Sequence, residues 1–291
     1  MQYIKNWWYS DNIWKRRIVS YFSKLKGYLI YKPVTKIGIF FGFLLSRMST
    51  IFAASIKQSL ILKTRMPGSL NINMAVDRLK DIGRAQFSNK ERLTCEWIEK
   101  YYKKGDVIYD IGANNGAVSL ISAAYLEKDC LIYSFEPLPS SFNMLYKNII
   151  INNFDKVIVP LNIALSDKVV IDNLNLTSIE SGTSGHTIEN KGVSRNFIKR
   201  LTVFTQTLDN LVDSHNIKKA NHMKIDVDGI DYRVLLGGEN SILSNPKLKT
   251  ILIEKNDNED NIRMLLKKYG FDEVKLIDHI RTYENLGFVR N

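Results

Sequence analysis

The 291-residue chain contains two cysteines, six prolines and four histidines. Cys95 and Cys130 cannot build a disulfide framework, and no Cys/His cluster has zinc-ligand spacing, so a disulfide scaffold and a zinc module are excluded. A reducing compartment is the default for such a chain. No compact apolar run leads to a small-residue cleavage site, so the start does not read as a cleavable signal peptide. Acid is almost absent from the first 65 residues, where Asp11 faces twelve Lys/Arg for a net charge of +11. The other 226 residues hold 29 bases and 29 acids. A body without excess charge argues against a protein whose whole surface reads nucleic acid. There is no internal repeat and no low-complexity tract.

The basic segment is also aromatic. It carries thirteen of the 31 aromatic residues, including Trp7, Trp8 and Trp14. Bases attract anionic headgroups and amphipathic rings sit at the water boundary, so residues 1–65 read as a segment for an anionic membrane surface. The apolar stretch 37–56 is long enough to span a bilayer, but Arg47 near its middle is costly there. At helical spacing Ile37, Phe40, Phe41, Leu44, Leu45, Met48, Ile51 and Phe52 make one stripe, which Ile39 and Phe43 leave. The stripe fits a helix lying in the interface on the inner, cytoplasmic face of a membrane. The same face could instead pack on protein, including a second copy in a homodimer, and a single span is the third reading.

Pro67 and Gly68 break the pattern, giving a basic, helical membrane-associating or oligomerisation segment over 1–66. A helical lead-in follows over 67–104, with one helix expected over 71–86 and another from Ser88 to Tyr102 burying Leu93, Trp97, Ile98 and Tyr101. The catalytic-type domain spans 105–291. There, short apolar runs at 107–111, 131–135, 157–161, 223–227 and 250–253 alternate with helical patterns at 117–126, 140–152, 232–243 and 258–269. The segments 274–277 and 282–289 read as an antiparallel edge pair. This is an α/β pattern: a mostly parallel, doubly wound sheet whose ligands bind beyond the strands' carboxyl ends. The polar stretch 168–206, with His186 inside it, reads as a lid or acceptor loop, or else as a surface hairpin, that returns to a strand near 200–207.

The first strand ends at Asp110 and turns through Gly112, Ala113, Asn114, Asn115 and Gly116. Gly112 lets the backbone pass close to a ligand, and Gly116 lets the next helix start tight against the strand. Asn114 stands where a dinucleotide motif needs its second glycine, so a pyrophosphate is disfavoured. Asp110 suits a ligand's cationic amino group. Glu136, followed by Pro137 at the end of the second strand, suits a ribose diol. Together these residues fit S-adenosylmethionine.

Further along, Lys224, Asp226 and Asp228 share parity on the fourth body strand and its exit. Methyl transfer to a hydroxyl needs alignment and a base, which Asp226 or Asp228 could supply directly or through His186. A divalent metal held by Asp226, Asp228 and Glu254 is the alternative, and a structural role for these acids is the third reading. Asp231 reads as a helix N-terminal acid. The Asp-Pro-Pro-aromatic signature of amine methylation is missing.

These motifs resemble those of the FkbM-type methyltransferase family. The resemblance runs over 105–116, Phe135 to Pro137, 148–153, Asn162 to Asp167 with Ala164 inside it, Thr207 to Asp209, 224–231 and 234–237. It covers about residues 88–291. It implies a class I Rossmann-like methyltransferase fold, S-adenosylmethionine bound by the turn residues with Glu136, Pro137, Asn162, Ala164 and Asp226, and methylation of an oxygen. The implied acceptor is a sugar hydroxyl of a surface glycan, a lipid-linked saccharide or a natural product. Asp228 and Asp231 depart from the glutamates usual in the family. An RNA methyltransferase using the basic arm, and a non-catalytic membrane adaptor on the same scaffold, are the alternatives.

Overall fold

The computed structural model describes residues 32–47, 63–65, 70–77, 81, 92–176, 199–255, 258–276 and 285–290. It divides into two units, Met1–Leu62 and Lys63–Asn291. In the first, α1 (Lys32–Ser46) bears Ile37, Phe40, Phe41, Phe43 and Leu44, all exposed. Phe43 stands as open as the stripe residues, so the exposed apolar surface is broader than one stripe. Met48, Ile51, Phe52, Trp7, Trp8 and Trp14 lie outside the described residues. Among the described residues no helix is long and apolar enough to cross a membrane.

The second unit begins with β1 (Lys63–Arg65) and β2 (Asn73–Ala75), then α2 (Arg92–Tyr101), β3 (Val107–Ile111), α3 (Ala117–Tyr125), β4 (Leu131–Phe135) and α4 (Pro139–Ile151). There follow β5 (Ile158–Leu161), β6 (Ala164–Leu165), β7 (Ile171–Leu176), β8 (Lys199–Gln206) and α5 (Leu208–His215). The chain continues through β9 (His222–Ile225), α6 (Asp231–Leu236), a π-helical turn at Glu239–Leu243, β10 (Thr250–Glu254), α7 (Glu259–Lys268), β11 (Phe271–Val274) and β12 (Asn285–Arg290).

Seven strands form the main sheet in the order β11-β12-β10-β9-β3-β4-β5. Five neighbours run parallel from β10 to β5, and β12 is antiparallel to both β10 and β11. The chain steps outward from β3 to β5, then crosses to β9 on the other side of β3. That reversal makes the β3/β9 gap the switch point where such sheets bind ligands. The fold is Rossmann-like α/β, as its alternating pattern implies.

Strand parity sorts the core into two layers. Tyr109, Ile111, Tyr133, Phe135, Met223, Ile225, Ile251 and Ile253 pack with α5, α6 and α7 on one face. Ile108, Ile132, Ile158 and Leu252 pack with α2, α3 and α4 on the other. Burial on both faces explains why these strands read as continuous apolar runs rather than alternating ones. Gly287 of β12 makes room for α2: a Cβ there would lie 2.5 Å from the Trp97 ring. At the amino edge, His222 donates or accepts at Asp106 Oδ2 (2.9 Å) and Thr250 Oγ1 (2.8 Å), stacks on Tyr102, and shares Asp106 with Lys249. Burial would raise the Asp106 carboxyl, but these donors and the Lys103 amide hold it at about 2.

Several sequence expectations shift. Residues 71–86 do not begin as a helix, because Ile72 and Met74 alternate inward and β2 pairs with β1. Residues 78–80 and 82–91, including Ser88, lie outside the described residues. β1 and β2 belong to the second unit, which begins at Lys63. The helix expected over 232–243 breaks at Gly237 and Gly238. A Cβ on Gly237 would stand 2.1 Å from the Ser166 carbonyl oxygen, so the chain turns there against the second sheet's lead-in. Part of the polar stretch 168–206 is strand: β6, β8 and β7 form a three-stranded sheet over a small core of Leu138, Ala164, Leu174, Leu176, Val203 and Ile230.

The free edge of β2 is taken by asparagine side chains of α4. Asn148 Oδ1 accepts from the Ala75 amide at 2.7 Å, and its Nδ2 donates to the Asn115 carbonyl at 2.8 Å. Asn152 accepts from the Asn73 amide at 2.8 Å and donates to its carbonyl at 2.7 Å. Asn148 is fully buried. Replacing it strands a buried N–H and a buried carbonyl, each costing about 1–3 kcal/mol when unsatisfied. Asn148→Ala should therefore lower stability by about 2–4 kcal/mol in urea denaturation, with loss of amide-exchange protection at Ala75. A change under about 0.5 kcal/mol would mean this amide is not a structural tie.

Candidate active site at the carboxyl edge

The turn after β3 is built around a close backbone approach. Gly112 sits at φ +80°, and a Cβ on it would fall 2.0 Å from the carbonyl oxygen of Asp226. Glycine is thus required by the exit of β9 alone, before any ligand is considered. The Gly112 and Ala113 amides donate to the Phe135 carbonyl at 3.0 and 2.9 Å, which stitches the turn to β4. Ala113 points into the core and is 6% exposed, so what it can offer a ligand is backbone. Asn114 takes a left-handed φ of 52°. Gly116 at φ +85° faces Leu145 of α4, 2.5 Å from where its Cβ would be. The tight contact it permits is therefore with a helix, not with the strand. Asn115 is buried, its carbonyl held by Asn148.

Two acids flank the turn. Glu136 is 7% exposed, and each carboxylate oxygen accepts one backbone amide: Oε2 from Asn114 and Oε1 from Leu138, both at 2.8 Å. These bonds aim the carboxylate while leaving acceptor capacity on both oxygens for a diol. Burial is the main influence on Glu136 and pushes its carboxyl up to about 7, against those two amides and with the charges of Asp110 and Asp228 adding. Asp110 lies deeper, at 2% exposure. Its Oδ2 accepts from the Ser119 amide at 3.0 Å and from the Ser119 hydroxyl, which also meets Ser134 Oγ at 2.7 Å. Burial raises the Asp110 carboxyl to about 6, opposed by Ser119 and Lys224. In this position Asp110 fastens β3 to α3 from beneath the turn.

The Asn162 amide donates to the carbonyls of Glu136 and Pro137 at 2.7 and 3.1 Å, so it shapes the Glu136–Pro137 corner from outside. Ala164 is a strand residue of the second sheet, packed in the small core with Leu138.

On the far side of the switch point lies a row of charge. Register places Asp110 beside Lys224 and Glu254 beside Asn285, all on the face covered by α2 and α3. Lys224 is 3% exposed, its Nζ 3.4 Å from Asp226 Oδ2, 3.4 Å from Asn285 Oδ1 and 3.3 Å from the Ile225 carbonyl. Burial pulls its ammonium down, yet the surrounding Asp226, Glu254, Asp231 and Asp110 outweigh that and raise it. Lys224 therefore remains a cation below the edge, where it neutralises Asp226; it does not emerge beside it as same-side parity suggested. The Asp226 carboxylate is 48% exposed at the edge. Glu254 is raised by burial first and then by the charge of Asp226, to which its side chain is hydrogen-bonded.

Asp228 occupies a left-handed turn at φ 53°, followed by Gly229 at φ 108°. Asp231 accepts from the Gly229 amide at 3.2 Å and is 1% exposed, which fits its reading as an acid opening α6. Burial raises its carboxyl to about 6. Among the described residues no three His, Cys, Asp or Glu side chains converge as a metal site, so Asp226, Asp228 and Glu254 do not form one here. His186 lies outside the described residues. Sequence reasoning missed Ser119 and Asn285 altogether. Ser119 carried a local signal, one helical turn past Gly116; Asn285 carried none, since only the β10–β12 pairing brings it to Lys224.

The geometry thus offers a rigid turn with an aimed carboxylate on one side and a solvent-facing carboxylate over a buried ammonium on the other.

A family model described as the methyltransferase FkbM domain matches residues 110–273. The hexuronic acid methyltransferase AglP of Haloferax volcanii is 25% identical over 169 residues, 58% of this chain and 65% of that protein. The chain thus spans just under two thirds of that relative's length. Among solved structures, a methyltransferase FkbM from Methylobacillus flagellatus aligns at 12% identity over 65% of this chain and 44% of its own, with a TM-score of 0.47. TYW2 of M. jannaschii, solved with AdoMet, aligns at 10% identity over 80% and 90%, with a TM-score of 0.41. With a switch-point turn built this way and more than half of its length matched, the chain belongs to the FkbM methyltransferase family.

Proposed function

We propose that the protein moves a methyl group from S-adenosylmethionine to an oxygen of a sugar, a hydroxyl of a glycan, lipid-linked saccharide or natural product. The observation that carries this reading is the pairing of Glu136, aimed by two backbone amides, with the exposed Asp226 across the Gly112 contact. The name of the Haloferax volcanii relative, a methyltransferase of a hexuronic acid, supports a sugar acceptor.

Glu136 would hold the ribose diol, and the Gly112–Gly116 turn would lie under the nucleoside. S-adenosylmethionine supplies an electrophilic methyl and its own leaving group. The acceptor oxygen's lone pair then forms the new O–C bond as the S–C bond breaks and its electron pair stays on sulfur. Asp226 takes the hydroxyl proton on a carboxylate oxygen, with the Lys224 ammonium 3.4 Å beneath it. A calorimetric titration with S-adenosylmethionine separates this enzyme from a non-catalytic adaptor.

We further propose that α1 docks on an anionic membrane surface. Its exposed Ile37, Phe40, Phe41, Phe43 and Leu44 supply apolar contact, and the +11 charge of the first 65 residues supplies attraction. A nucleic-acid partner would leave that apolar surface without a role.

Three outcomes are expected. Because the ionised form of Glu136 accepts the diol and its carboxyl titrates near 7, cofactor affinity should be full above pH 8. It should fall as pH drops through 7, approaching about tenfold per unit in acid. Glu136→Ala should weaken binding by about 2–3 kcal/mol at pH 8. A pH-independent Kd in calorimetry, or full affinity in the variant, contradicts the assignment. For the base, Asp226→Asn should cut kcat by roughly 10²–10⁴-fold with Kd for the cofactor nearly kept. Full turnover of that variant removes Asp226 from the chemistry, and loss of wild-type activity in EDTA with rescue by Mg²⁺ would point to a metal instead. For the membrane, the full-length chain should float with anionic liposomes at low salt. High salt should weaken the binding, and Phe40→Asp with Phe41→Asp should weaken it even at low salt. Equal flotation of the double variant would show that α1 does not make the contact.

A further inference from the structure

Beyond residue 65 the bases and acids balance in number but not in place. At the amino edge of the main sheet, three neighbouring loops lead into β3, β9 and β10: residues 102–106, 216–221 and 244–249. They carry six lysines, Lys103, Lys104, Lys218, Lys219, Lys247 and Lys249, against one acid, Asp106. Asp106 is buried and already shared by His222 and Lys249, 2.9 Å from each. Lys104 reaches Glu127 on the loop before β4 at 2.5 Å. Lys103, Lys218, Lys219 and Lys247 are exposed and make no ion pair among the described residues. All three loops lie inside the described stretches 92–176 and 199–255. The loops before β4 and β5 carry both signs, as Glu127, Lys128 and Asp129 and as Asp155 and Lys156, so the excess is local to β3, β9 and β10.

The three loops are held as one platform. The Asn221 amide donates to the Val107 carbonyl at 2.7 Å, and its Oδ1 accepts from the Val107 amide at 2.8 Å. Its Nδ2 donates to the Lys247 carbonyl at 3.1 Å, and its carbonyl accepts from the Lys249 amide at 2.7 Å. The Lys103 amide donates to Asp106 at 2.7 Å. The Lys218 backbone lies between two hydroxyls, Tyr109 at 2.8 Å and Tyr133 at 3.2 Å. Fixed backbones keep the four ammonium groups together on one edge. Like charges gathered without acids repel one another, and an anionic partner removes that cost.

The chemistry of the platform selects the partner. Its loops contain no arginine, and their one aromatic ring, Tyr102, is buried on His222. Faces that bind nucleic acid use exposed rings for stacking and the planar arginine fork. Ammonium groups alone, spread over a platform, suit a diffuse layer of negative charge such as an anionic lipid surface. The opposite edge of the sheet presents Asp226 and Asp228, which such a surface repels.

We propose that the second unit meets an anionic lipid surface with its amino edge, through Lys103, Lys218, Lys219 and Lys247, so that the candidate active site faces away from the membrane. The proposal rests on the membrane reading above and adds which edge of the sheet meets the lipid. β3 has five residues, a length of about 17 Å. The Debye length at physiological ionic strength is about 8 Å. Glu136 and Asp226 thus stand outside the repulsive field of the headgroups, and the acceptor hydroxyl arrives from the water side.

The test uses the full-length protein and vesicles of equal parts phosphatidylglycerol and phosphatidylcholine, with affinity read by co-sedimentation. Two triple variants remove the same charge. One is Lys218→Gln, Lys219→Gln and Lys247→Gln; the control is Lys168→Gln, Lys199→Gln and Arg200→Gln, at exposed positions by the three-stranded sheet. The amino-edge variant should lose roughly 100-fold in lipid affinity, a factor of about five for each base. The control should lose less than about fivefold, and high salt should close the gap. An unchanged urea midpoint reports an intact fold in each. Should the triple variant be destabilised, Lys219→Gln and Lys247→Gln singly carry the test, each at about fivefold against Lys168→Gln. Equal losses at the two places mean that net charge alone acts, and overturn the proposal. No loss at either, with loss in the Phe40→Asp and Phe41→Asp variant, leaves α1 as the contact; the membrane reading then stands without this proposal. A wild type that does not bind the vesicles overturns both. Tighter binding to an RNA oligonucleotide than to vesicles, lost only in the amino-edge variant, assigns the platform to nucleic acid and overturns the proposal.

Discussion

The backbone of Gly112 passes so close to the Asp226 carbonyl that no side chain fits between them, and most of the site follows from that approach. It brings the turn after β3 and the exit of β9 together at the point where the chain reverses its direction across the sheet. Asn114 can then reach Glu136, and Asp226 is left facing outward next to the turn. A larger residue at 112 would push β9 outward and separate the two carboxylates that the proposed reaction needs side by side. Glycine at this position is therefore fixed by the protein's own packing as well as by any ligand's clearance.

Charge at the edge is arranged by depth. Asp110, Lys224 and Asp231 are buried and matched to one another or to backbone amides, whereas Asp226 is half exposed. Buried ionised groups are tolerated only with partners, and breaking such a set leaves an uncompensated charge. The row spans β3, β9, β10 and β12, so the same groups that tune the edge also tie four strands. The amino edge of the sheet repeats the arrangement with Asp106, His222 and Thr250 buried and Lys249 half exposed. Its role is to close the other end of the same strands.

What could be read from the sequence depended on the range of the interaction. The strands of the parallel sheet were legible because double-sided burial leaves runs of apolar residues. The turn at 110–116 was legible because its glycines and acids are adjacent in the chain. Depth was not: the alternation of Lys224, Asp226 and Asp228 says which residues share a side, but not that Lys224 lies under α2 and α3 while Asp226 clears them. The stretch 71–86 looked helical by composition, yet at its start the backbone of Asn73 and Ala75 is taken by Asn148 and Asn152, seventy-odd residues away, and no local pattern announces such a partner. Asn285 entered the site only through antiparallel pairing of β12 with β10.

The asparagine at 148 performs two opposite tasks with one group, accepting from Ala75 and donating to Asn115. Aspartate at 148 would set an acceptor against a carbonyl, leucine would satisfy neither partner, and glutamine would carry its amide one methylene too far for a fully buried slot. No other side chain has the same length and both polarities. The position is thus closed to drift although it touches no substrate, and relatives of this chain that lose the hairpin of β1 and β2 should be the ones in which residue 148 is released to vary.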